Sequence, residues 1–201
     1  MNIAIEKTLN SDNIDLMIIM YKDSINEMDY SVSANNTIEF FQKIKRESIK
    51  KGPYPNVTLF EAANRIMSDL VILFGIKKLL KGEYEDLAFD EYQVEYGNDN
   101  NNQYDIIAKN KKYKLFGEAF NVAPSFFQGK KSSSLKKLRR EKSNNTVLLL
   151  LYNSDAVDIN YTPKKVLNEY HIPVDINTGI FMQYQRGKAT AQTPHVLNEW
   201  S

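Results

Sequence analysis

Apolar residues recur at spacings of three and four over the first 80 positions of the chain. From about residue 89 to residue 152 they alternate with polar residues or run continuously. The first pattern predicts helices and the second predicts strands. In residues 13–28, Ile14, Met17, Ile18, Tyr21, Ile25 and Met28 fall at helical spacing, with Ser11 or Asp12 as N-cap. Residues 37–51 repeat the pattern through Ile38, Phe41, Ile44 and Ile49, and Asn36 with Glu39 makes a capping-box-like start. Gly52, Pro53 and Pro55 then break the chain. A third helix opens on the capping box Thr58 and Glu61. Its wide stripe of Leu59, Ala62, Ala63, Ile66, Leu70, Leu73 and Phe74 suits packing on a sheet, and Gly75 or Gly82 lies near its end.

Three short strands follow. Residues 89–97 place Tyr92, Val94 and Tyr96 between Gln93 and Glu95. Residues 104–109 and 113–122 pair as a hairpin across Asn110-Lys111-Lys112, and Pro124 ends the second arm. Residues 131–141 read as a helix whose narrow apolar stripe is Leu135 and Leu138 and whose polar side is Lys136, Lys137, Arg139 and Arg140. The run Thr-Val-Leu-Leu-Leu-Leu-Tyr at 146–152 has the character of a strand covered on both faces. Residues 163–170 read as a short helix and 174–184 as a further strand. From residue 58 the order is helix, three strands, helix, strand. The expected fold is α/β (α+β), a mixed sheet flanked by helices with an αβββαβ core at 58–201, preceded by an N-terminal helical extension at 1–57.

Composition narrows the chemistry. The chain has 201 residues, enough for one domain, and 42% hydrophobic content, enough for a core. Its 26 basic and 25 acidic residues leave a net charge of +1, so any attraction to phosphate comes from local clustering. There is no cysteine and there are only two histidines, His171 and His195. Thiolate zinc sites and three-histidine zinc sites are excluded, and carboxylate oxygen remains as a ligand for Mg²⁺, Mn²⁺ or Ca²⁺. No stretch reaches the roughly 20 apolar residues of a membrane span. The N-terminus lacks the pattern of a signal peptide, so a soluble cytoplasmic protein without membrane partners is expected.

The hairpin at 103–123 carries Asp105 on one arm and Glu118 on the other. Two carboxylates on paired strands form a site for a hard divalent cation, and a basic helix follows directly. Phosphodiester hydrolysis needs an activated water and positive charge for the developing oxyanion, which carboxylate-bound Mg²⁺ supplies. Glu95, on a polar and exposed strand face, is a further carboxylate that could join the metal shell.

These residues, in this order of elements, resemble the PD-(D/E)xK nucleases, whose small members include type II restriction endonucleases. The resemblance covers roughly residues 58–152. It implies a restriction-endonuclease-like fold, metal binding by Asp105 and Glu118, and a helical acidic ligand at Glu61. Position 120, two residues after Glu118, is Phe where the family has Lys. Lys130 or Lys131, at the start of the basic helix, would then supply the catalytic cation, with Gln128 and Asn121 as weaker substitutes. Lys136, Lys137, Arg139 and Arg140, with Arg186 and Lys188 in the polar C-terminal segment, would contact DNA. The expected activity is Mg²⁺-dependent cleavage of double-stranded DNA, with Mn²⁺ as a possible substitute. The expected assembly is a restriction-type homodimer, paired in the same system with a cognate DNA methyltransferase. The alternative is a non-catalytic DNA-binding or protein-interaction module in which Phe120 marks a lost catalytic position.

Overall fold

The computed structural model describes residues 6–29, 31–82, 84, 87–97 and 103–177. Six strands form one mixed sheet, and the described residues include four α-helices. The elements are β1 (Thr8–Asn10), α1 (Ile14–Asn26), α2 (Thr37–Arg46), α3 (Leu59–Leu80), β2 (Glu91–Val94), β3 (Ile106–Lys109), β4 (Lys114–Phe120), α4 (Pro124–Leu138), β5 (Thr146–Asn153) and β6 (Glu169–Val174). The sheet runs β1-β2-β3-β4-β5-β6. Neighbours are antiparallel from β1 to β4 and parallel from β4 to β6. The connection from β4 through α4 to β5 is the crossover that a parallel pair requires.

β5 explains how the layers hold together. All eight of its residues are buried, and period-two alternation sends them to opposite faces. Val147, Leu149 and Leu151 join the core beneath α1 and α3, while Leu148, Leu150 and Tyr152 join a second core beneath α4. Burial of aliphatic side chains on both faces stabilises this layering. Gly75 lets α3 approach this strand, since a Cβ there would collide with Leu151 Cδ1.

Several elements differ from their sequence pattern. The N-terminal segment is not only helical. β1 pairs with β2, and Leu9, Ile14, Met17, Ile18 and Tyr21 lie in the same core as α3. α2 stops at Arg46 because Glu47 turns extended and Ile49 bonds Val57, closing a loop instead of another helical turn. α4 begins at Pro124, seven residues before the apolar stripe indicates, because proline is well suited to the first helical turn and Phe127 anchors that turn in the core. Residues 163–170 form no helix. Asn168 adopts a left-handed φ of 58° and turns the chain into β6, which pairs with the apolar β5. The strand expected at 174–184 therefore lies earlier, at Glu169–Val174, and residues beyond 177 lie outside those described. No helix among the described residues is long and apolar enough to cross a membrane.

Candidate active site

Asp105 sits immediately before β3 and Glu118 lies on β4, and the two strands pair so that Ile106 opposes Gly117. Asp105 Oδ2 accepts a 2.8 Å hydrogen bond from the Ala119 backbone N–H, which fixes its carboxylate against β4. The two carboxylates line one cavity of about 610 Å³ that opens between α3, the ends of β2–β4 and α4. Both are largely buried, and Glu118 retains only 8% of its side-chain exposure. Burial raises both carboxyls above the ordinary carboxylate range, and for Glu118 the charge of Asp105 raises it further. Desolvation and mutual repulsion thus both oppose negative charge on this pair.

α4 brings cations to the pair. At 100° per residue, Phe127, Ser134 and Leu138 form its buried stripe. Lys130 and Lys137, two turns apart, fall together on one flank of that stripe and line the carboxylate cavity. Lys137 Nζ donates to Glu118 Oε1 at 2.6 Å and lies 5.2 Å from the centre of the Tyr104 ring. Charge from both lysines lowers the Asp105 and Glu118 carboxyls, without overcoming burial.

Phe120 occupies the same face of β4 as Glu118 but points into the aromatic core. Its ring lies 6.2 Å from both Phe127 and Tyr152. A cation at that position would have to be buried among aromatic rings, whereas Lys137 reaches Glu118 from the solvent side. Lys130 Nζ sits 5.9 Å from the Phe120 ring centre, over this aromatic floor. Asn153 secures the strand's exit, bonding both the N–H and the carbonyl of Val122.

The other expected residues divide. Asn121 and Glu95 line the cavity; Gln128 does not. Glu95 is buried and pairs with Lys7 at 3.0 Å. Glu61 reaches the cavity wall, but its carboxylate is engaged by Arg65 at 2.6 Å, and Thr58 caps the helix through the Glu61 N–H. Lys131 faces away from the carboxylates. It bonds the Tyr161 hydroxyl at 2.9 Å and lines a different cavity with Lys136, Arg139 and Arg140. Arg186, Lys188 and His195 lie outside the described residues.

Asp69 was not singled out by sequence. It is 1% exposed on α3, lines the cavity, and accepts bonds from Tyr21 Oη, Tyr54 Oη and the Gly97 N–H. Burial pushes its carboxyl up to about 6, and the charge of Asp105 adds to the rise. The signal was a single carboxylate inside the apolar run Leu70–Phe74 and its preceding turn, a placement that signals a partnered buried acid. Among the described residues no three His, Asp or Glu side chains form a ready-made metal cluster. No family model, curated relative or solved structure matches this chain.

Proposed function

We propose that the chain is a divalent-metal-dependent endonuclease that hydrolyses DNA phosphodiester bonds, with a restriction-endonuclease-like core. One observation carries the reading: two largely buried carboxylates, one just before β3 and one on β4, share a cavity with two lysines of the following helix, and Lys137 bonds Glu118 directly. The donor set fits a hard cation. Mg²⁺ is commonly held by one or two carboxylates, the remaining positions being water and substrate phosphate. Asp105 and Glu118 are the proposed ligands, and a bound Mg²⁺ or Mn²⁺ would supply Lewis acidity and a more acidic water. Asp105 is oriented by the Ala119 N–H. Lys137, already at hydrogen-bond distance from Glu118, is the proposed cation for orienting water and balancing charge on the phosphoryl oxygens. Lys130 reinforces the positive potential on the same flank, and Phe120 with its aromatic neighbours keeps the floor dry.

Double-stranded DNA is the proposed substrate, with Lys136, Lys137, Arg139 and Arg140 against its backbone. A homodimer is the proposed assembly. α2 buries none of its residues and leaves Ile38 and Phe41, three residues apart on one face, exposed, an apolar face suited to a second copy. A restriction role would add a cognate methyltransferase. The second reading, a DNA-binding module without catalysis, is favoured by one observation: Phe120 stands where the resembling family has lysine. Incubating the protein with plasmid DNA and Mg²⁺ or Mn²⁺, with an EDTA control, separates the two readings. Metal-dependent cleavage that Glu118→Ala abolishes supports the nuclease; retarded but intact plasmid supports the module.

A further inference from the structure

A second concavity of about 650 Å³ lies on the opposite flank of α4, bounded by the turn at Arg139–Glu141, residues 164–166 and the start of β6. Lys131, Lys136, Arg139, Arg140 and Lys164 line it, together with one carboxylate, Glu169. Five cationic groups around one depression stand out in a chain whose net charge is +1. The excess is not cancelled locally. Lys136 and Lys164 make no ion pair with another described residue.

The floor of this concavity is built rather than fortuitous. Arg139 donates from Nε and Nη2 to the two oxygens of Glu169, each at 2.8 Å. Glu169 Oε1 also contacts His171 Nε2 at 2.9 Å, and the two side chains are 2% and 5% exposed. Burial alone would raise the Glu169 carboxyl, yet the bonds from Arg139 and His171 hold it below its ordinary value. The carboxylate is therefore committed to orienting Arg139, whose guanidinium keeps further N–H donors. An oriented arginine fork beside several lysine point charges suits a tetrahedral oxyanion with many acceptor oxygens.

We propose that this concavity is a phosphate-binding site, separate from the carboxylate cavity across α4. Its ligand is a phosphate group, supplied either by a nucleic-acid backbone or by a nucleotide. The proposal deepens the nucleic-acid part of the reading above and is independent of its metal chemistry, so the test is run in EDTA, where cleavage plays no part. The full chain is titrated with inorganic phosphate by calorimetry and with a fluorescent DNA duplex by anisotropy at several salt concentrations. Polyglutamate serves as a competitor.

Wild type is expected to bind phosphate saturably. Lys136→Gln with Lys164→Gln, both exposed positions, should weaken that binding at least tenfold while the circular-dichroism spectrum stays unchanged. Lys112→Gln, exposed in the turn between β3 and β4 and far from this concavity in the chain's fold, should leave phosphate binding intact. If nucleic acid is the source, the double variant also weakens duplex binding, and the slope of log K against log salt falls by about two. If a nucleotide is the source, only phosphate binding changes. The proposal is overturned if neither ligand responds to the double variant, if Lys112→Gln weakens phosphate binding as much, or if polyglutamate competes as well as phosphate.

Discussion

Two residues beyond Glu118, strand β4 turns a phenyl ring toward α4, and the cation at the carboxylate comes instead from Lys137. Sequence spacing placed the substitute lysine at 130 or 131. It predicts a helix over 131–141, seven residues late at its start, and does not tell which of the lysines faces the carboxylates. That depended on where the helix begins, and a start at Pro124 puts Lys130 and Lys137 on one flank and Lys131 on the other. Lys137→Ala is expected to reduce cleavage about 100-fold or more, the scale of one lost preorganised electrostatic donor. Lys131→Ala should change cleavage less than about threefold by the same plasmid assay. Comparable losses for both variants would contradict the assignment. Asp69 offers a second test at this scale. Its carboxyl is raised to about 6, so the folded protein holds this proton more tightly than the unfolded chain. Its contribution therefore favours folding at low pH and is lost as pH rises from about 4 to about 6. Urea denaturation across that window should show wild type losing ground relative to Asp69→Asn as pH rises, by up to about 3 kcal/mol. A constant difference between the two would refute it.

At the level of elements, the strands and long helices were legible because their periodicities are strong. β5 was recognisable as doubly covered from its unbroken apolar run, and α3 from its capping box and stripe. The capping interaction at Asn36 is also present, its side chain accepting from the Glu39 N–H. What failed depended on pairing with distant residues. β1 is too short to show a period, and β6 forms because β5 offers it a parallel partner. Of the two glycines expected near the end of α3, Gly82 follows its C-cap with a left-handed φ of 73°, whereas Gly75 lies inside the helix where α3 meets Leu151. Gly75→Val should therefore destabilise the fold by about 1–3 kcal/mol through overpacking, seen as a lower urea midpoint. An unchanged midpoint would mean that α3 and β5 are not in such close contact.

For the whole molecule, the carboxylate cavity sits where helices from both faces of the sheet and the ends of three strands converge. That position was readable as a hairpin with two acids, but the burial that raises both carboxyls was not, because it depends on α3 and α4 closing over them. Holding two ionised acids there costs stability in the metal-free protein. Asp105→Asn should accordingly raise the melting temperature in EDTA by a few degrees. It should also abolish the further rise that Mg²⁺ gives to wild type. A lower melting temperature for this variant in EDTA would show that the carboxylate stabilises the empty site. The most direct test of the central claim, that Asp105 and Glu118 together hold a divalent cation, is Mn²⁺ titration followed by electron paramagnetic resonance. Wild type should bind Mn²⁺ saturably, and Asp105→Asn with Glu118→Gln should lose that binding while remaining folded. Undiminished Mn²⁺ binding by the double variant, or none by wild type, would contradict the account.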